Sequence, residues 1–165
     1  MRTFTVSMRL VAFTFTAGLL VMPAPADAGQ CKKVHAEIVA DPIFGCASSP
    51  IGLCTVGVIA GNHGLKGATF FTGDSMAAGP ATAPNPEWTI SYSGSLVVST
   101  PRGALTIRDN GLFDQLTGLF SSFAVVDPLN SSGDYAGATG TLFIGGKFVD
   151  GQFVTTMIEG ELCRP

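Results

Sequence analysis

The chain is short of charge, short of histidine and without helical patterning. Only 13% of its 165 residues are charged, and it holds two histidines, one tryptophan and two tyrosines. No stretch sustains the 3.6-residue period of an amphipathic helix. No apolar run reaches the roughly 20 residues that a membrane-spanning helix needs. Lys32-Lys33 is the only adjacent basic pair, so there is no patch with which to neutralise phosphates, and nucleic acid is excluded as a partner. His35 and His63 stand far apart, and no Cys-x2-Cys pair exists to start a zinc site. Neither a metal nor a cofactor is expected.

What is present begins with a three-part leader. Arg2 and Arg9 are basic, Leu10 to Met22 is an apolar run of 13 residues, and Ala26-Asp27-Ala28 follows two prolines. That order is the layout of a secretory signal peptide with a small-x-small cleavage site. The reading is a signal peptide over 1–28 and a single domain over 29–165. Removing Arg2, Arg9 and Asp27 leaves seven basic against eleven acidic residues, a net charge of −4. An exported destination, periplasmic or extracellular, follows, with a soluble mature protein and no membrane span.

Four cysteines remain behind the leader: Cys31, Cys46, Cys54 and Cys163. An even count in an exported chain points to two disulfides. Three pairings are open, and the one expected is a local clip, Cys46–Cys54, with Cys31–Cys163 tying the ends together.

The rest is a succession of short apolar, β-branched and aromatic runs between glycine-, proline- and asparagine-containing turns. Strands are predicted over Val34 to Ala40, Thr55 to Gly61, Leu65 to Thr72, Glu87 to Thr100, Ala104 to Asp109, Phe120 to Val126, Gly140 to Phe148 and Gln152 to Leu162, with a weak one around Phe113. Asp41-Pro42 is expected to end the first strand, Asn62-His63-Gly64 to form a hairpin turn, and Gly73 to Pro86 to form a long surface loop. Gly94, inside the cleanest alternation, suggests a bulge. Phe113 to Phe120 has room for one short helical turn at most. Many evenly spaced strands with polar turns indicate an all-β fold, here a single antiparallel barrel of about eight strands, because closure removes exposed edges.

Motifs with chemical associations mostly dissolve on inspection. Gly73-Asp74-Ser75-Met76 looks like the nucleophile block of the GDS-type esterases, but no histidine follows His63 to activate Ser75. The glycines Gly133, Gly137 and Gly140 feed a strand where a phosphate loop would feed a helix. Asn130-Ser131-Ser132 fits a glycosylation sequon, relevant only in a eukaryotic host. The carboxylates Asp109, Asp114, Asp134, Glu159 and Glu161 are the candidates for acid–base work. Of these Asp109, Asp114, Glu159 and Glu161 are the ones whose burial inside the barrel would favour an enzyme, since desolvation raises a carboxyl pKa. No residue beyond these is assigned a catalytic role. A cavity would be lined from Trp88, Ile90, Tyr92, Phe143 and Phe153.

One stretch carries a resemblance. Gly111-Leu112-Phe113-Asp114 through Thr117-Gly118 is followed by Gly133-Asp134-Tyr135-Ala136-Gly137-Ala138-Thr139-Gly140 and a last strand ending Gly160-Glu161-Leu162-Cys163. With Ser49 to Thr55 upstream, this resembles a group of small, largely uncharacterised exported bacterial proteins. More remotely, the Gly-Ala-Thr-Gly turn is similar to that of the allene oxide cyclase and dirigent superfamily. That resemblance implies an eight-stranded antiparallel barrel with an apolar ligand cavity, in a superfamily whose members often form homo-oligomers. Three functions are compatible with it. They are a non-catalytic barrel holding a small apolar ligand or a surface partner, a cyclase or isomerase using the same cavity, and a structural envelope protein with a filled barrel.

Overall fold

A computed structural model describes residues 30–165. The expected signal peptide over 1–28 and the expected start of the mature chain near Gly29 lie outside the described residues. Eight strands follow one another: β1 (Gln30–Phe44), β2 (Leu53–Gly61), β3 (Lys66–Ala78), β4 (Thr89–Thr100), β5 (Gly103–Asp114), β6 (Leu119–Val126), β7 (Thr139–Val149) and β8 (Gln152–Arg164). Each pairs antiparallel with the next, and β8 returns to β1, so the sheet closes into a barrel. The all-β, eight-stranded antiparallel reading holds.

Closure sorts side chains by parity, because successive residues of a strand point to opposite faces. In β1, Val34, Ala36, Ile38 and Ala40 are buried while His35, Glu37 and Val39 face out. The seam is carried by a long register in which Cys31 stands opposite Cys163 and Ala36 opposite Ile158. The cysteines pair as Cys31–Cys163 and Cys46–Cys54. The first lies across the seam itself, and the second clips the loop between β1 and β2.

The two ends of the barrel differ. Toward the seam disulfide the interior is filled by Val98, Leu105, Leu142 and Leu162, and by Leu65 and Tyr135, all at 2% exposure or less. Tyr135 belongs to a single 3-10 turn, Gly133–Tyr135, and its hydroxyl donates to the Gly64 carbonyl at 3.1 Å. The Arg164 guanidinium covers its ring 4.6 Å from the centroid. This end is a plug.

Several boundaries differ from expectation for identifiable reasons. β1 continues through Pro42 to Phe44, since its pairing with β8 stops at Ala40 and the missing proline N–H interrupts no ladder on that side. β3 runs on to Ala78, which shortens the Gly73–Pro86 loop to the segment between Ala78 and Thr89. The region around Phe113 is the end of β5 and not a strand of its own, and a plain turn joins it to β6. Asn62-His63-Gly64 is a hairpin turn as expected, with His63 and Gly64 both at positive φ. Gly94 keeps its register with Asp109, and the bulge lies opposite, between Gly73 and Ser75. A Cβ at Gly94 would run into the Phe71 ring, so this glycine makes room for an inward aromatic.

The long disulfide closes 132 residues of chain and the short one 8. Cys31→Ser with Cys163→Ser is expected to cost about 5 kcal/mol, against about 2.5 kcal/mol for the Cys46/Cys54 pair, on loop-entropy grounds. Urea unfolding of the two double variants checks the order, and equal losses would show that the seam disulfide adds little to the paired strands.

Candidate functional site

Away from the plug the barrel is open. A cavity of about 350 Å³ occupies this half. Alternate positions of all eight strands line it, and the clipped loop contributes Ile51 and Gly52 at its edge. Cys46–Cys54 holds that loop, and Ser49 anchors it: its hydroxyl donates to the Gly73 carbonyl at 2.6 Å and accepts from the Leu53 N–H.

Walls and floor are chemically distinct. Toward the mouth the walls are aromatic, with Phe113, Phe120, Phe148 and Phe153 forming a chain of ring contacts at 4.9–6.5 Å between centroids. The innermost lining position on β2, β3, β5 and β8 is instead polar: Thr55, Thr69, Asp109 and Thr156. One step deeper the same strands carry Gly57, Gly67, Ile107 and Ile158, and the last two belong to the packed core. The floor is therefore a broken polar ring under apolar walls.

Asp109 is the chemical centre of that floor. It is 5% exposed. The Ser122 hydroxyl donates to its Oδ2 at 3.3 Å, while its Oδ1 is buried without a hydrogen-bond partner. Burial pushes its pKa up to about 6, and the Ser122 hydrogen bond opposes the rise only in part. Tyr92 reaches the same place from β4. Burial holds its phenol above the usual range, the Asp109 charge adds to that, and a hydrogen bond with Ser122 works against it. The ring fits because residue 111 is glycine: a Cβ there would come within 2.6 Å of the Tyr92 ring and hydroxyl. Thr69 and Thr156, each 4% exposed, also present Oγ1 atoms without partners.

The structure sorts the other expected residues. Ile90, Tyr92 and Phe153 line the cavity. Trp88 does not: it precedes β4, is 52% exposed and sits in a turn where its N–H donates to the Asn85 carbonyl. Phe143 does not either: its parity turns it outward, 61% exposed, against Phe123. Glu159 and Glu161 share the outer face, where Glu159 accepts from His35 Nδ1 at 3.2 Å. Asp114 is the last residue of β5, at the turn into β6. Asn85 donates to it at 2.6 Å and holds its carboxyl below the ordinary value, while its Oδ1 accepts from the Leu116 and Thr117 N–H groups. Asp134 pairs with Arg102 on the surface. Ser75 lies on an outward position of β3, hydroxyl to hydroxyl with Ser93 at 2.7 Å, in no catalytic arrangement. Among the described residues no cluster of His, Cys, Asp or Glu could hold a metal ion, and no helix is long and apolar enough to cross a membrane. Thr69, Thr156 and Ser122 were not legible as site residues, since a lone hydroxyl on a strand carries no motif.

Comparison with protein-family models, curated proteins and solved structures finds no match to this chain.

The raised pKa of Asp109 has a thermodynamic sign. Its folded value, about 6, lies above the ordinary 3.8, so between these values the folded protein binds the extra proton. Stability then falls as pH rises from about 4 to 6, and the full cost persists above that window. Asp109→Asn should be more stable than the parent above about pH 7, by up to the order of 2–3 kcal/mol, with the difference disappearing near pH 4. Urea unfolding across this range is the measurement, and a constant difference between the two proteins would contradict a desolvated acid.

Proposed function

We propose that this protein binds a small amphipathic molecule inside the barrel, apolar body along the aromatic walls and polar head on the floor. The observation that carries the reading is the division of a 350 Å³ cavity into apolar walls and a floor with unpartnered polar atoms. Volumes of roughly 300–1,000 Å³ with a few placed polar groups are typical of small-molecule sites. Burial of the ligand's apolar surface would supply the affinity, at about 25 cal/mol per Å² before association costs. The floor would set its direction. A purely structural role is less well supported, because a filled barrel needs neither the open half nor the desolvated carboxylate. Export is supported by the two disulfides, which persist in oxidising compartments.

A second reading rests on Asp109. A carboxyl near pKa 6, beside a buried phenol, is suited to proton transfer near neutrality. This supports a cyclase or isomerase of the allene oxide cyclase and dirigent kind, acting on the same bound molecule. Under that reading the molecule recovered from the protein differs from the one supplied, and Asp109→Asn returns it unchanged.

The direct test of binding is native mass spectrometry of protein purified from its own host. An adduct of a few hundred daltons is expected, and Ala40→Phe, which projects a ring into the cavity from β1, should abolish it while the barrel stays folded by circular dichroism. A bare mass, together with no uptake of an apolar fluorescent probe, would overturn the binding reading.

A further inference from the structure

We propose that the head of the ligand is a basic amine, its ammonium group seated against Asp109 at the cavity floor. The inference rests on the binding reading above and adds the chemistry of the head. Four acceptor-bearing side chains form the floor, and none of the described residues lining the cavity is Lys, Arg or His. Asp109 Oδ1 is buried and accepts no hydrogen bond, and the hydroxyl oxygens of Thr69 and Thr156 are buried and unpartnered as well. The cation next along the strand, Arg108, alternates to the outer face and is held there by Asp74 at 3.0 Å. The site thus lacks a positive charge of its own.

Candidate heads differ in what they repair. A carboxylate would bring a second negative charge beside Asp109 in a weakly screening interior, with no cation to receive it. A hydroxyl would supply one hydrogen bond and leave the desolvated charge uncompensated. A ketone would accept from the Thr69 or Thr156 hydroxyl but would leave the desolvated Asp109 carboxylate without a donor. An alkylammonium brings the opposite charge and three N–H donors to a floor whose unpartnered atoms all accept. The aromatic walls suit the methylenes behind it and add cation–π attraction if the head rises toward them.

The pH dependence follows from the groups around the carboxylate. Tyr92 from β4 keeps its proton, Ser122 from β6 does not titrate, and Asp74 and Arg108 pair with each other on the outer face. Asp109 is therefore the group that changes. An alkylamine stays charged to about pH 10, so its affinity is steady above neutrality and falls as Asp109 takes up a proton below about 6.

The experiment is calorimetric titration of the full mature protein with decylamine, decanol, methyl octyl ketone and decanoate, each below its micelle-forming concentration. At about pH 7.5 decylamine should bind at least about tenfold more tightly than decanol, as expected for a charge-assisted contact, with decanoate weakest. At about pH 5 the amine should lose most of that advantage. Asp109→Asn should bring decylamine down to the level of decanol, with circular dichroism and uptake of an apolar fluorescent probe verifying that the variant's barrel and cavity are intact. Decanol or the ketone matching the amine, or an amine advantage that survives in Asp109→Asn, would overturn the amine assignment and leave the binding reading standing. Failure of all four compounds to bind would overturn both.

Discussion

Everything in this molecule depends on the pairing of the first strand with the last. Seven hairpin-type neighbours make a curled sheet with two open edges, and the β1–β8 register turns that sheet into a barrel with an inside. Parity then has consequences: each strand must alternate between an interior that excludes water and a surface that does not. The Cys31–Cys163 bridge sits within this seam, tying residues that are already opposite one another. It adds no new contact to the fold. It makes separation of the edges less favourable by limiting the unfolded chain, and so acts on the contact most remote in sequence, the one most expensive to find.

Closure leaves a volume problem that the two ends solve differently. At the seam-disulfide end Leu65 and Tyr135 fold inward from connecting segments and complete a core of branched aliphatic residues. At the other end the inward positions alternate between large aromatics and residues too small to meet them, such as Ala40, Gly73 and Gly111. Glycine here removes bulk where a ring must lie, as Phe71 lies over Gly94 and Tyr92 over Gly111. The same device that fits the rings also keeps them at the wall, and the centre remains open. Small-for-large exchange across strands thus supplies both the packing of the barrel and its cavity.

Much of this was legible. The alternation in Val34 to Ala40 and in Ile90 to Val98 announced strands with one buried face, and the count of such runs pointed to a barrel. Four cysteines, two of them close together and two near the ends, suggested the pairing. The errors share one cause. Hydrophobicity alone points Trp88 and Phe143 inward, yet the first lies beyond the start of its strand and the second has outward parity. Hydrophobicity reports a preference for burial, whereas facing is settled by register, and register depends on bulges such as the one after Gly73 that no local pattern announces. Asp109 illustrates the converse. Its neighbours Ile107 and Gly111 share its parity, so its inward direction was readable once the strand was extended beyond it. A strand that ends at Asp109 does not fix its facing, and on such a reading Glu159 and Glu161 are equally eligible.

The polar floor is the feature that stability alone does not account for. Each buried hydroxyl or carboxyl without a partner costs on the order of 1–3 kcal/mol relative to a satisfied one, and apolar side chains at Thr69, Asp109 and Thr156 would extend the core that begins one layer below. Asp109 carries the largest cost, since Ser122 offers one hydrogen bond at 3.3 Å against the loss of hydration of a charge. On the binding reading, a complementary head would relieve the cost of these unpartnered atoms, and that relief would contribute to the binding free energy. The same arrangement gives direction: the apolar walls would accept a chain in either sense, but only one sense brings donors to the floor. A dry, fully apolar barrel of this size would bind less selectively and fold more stably. The physical case for a ligand therefore rests less on the existence of the cavity than on the position of its few polar atoms.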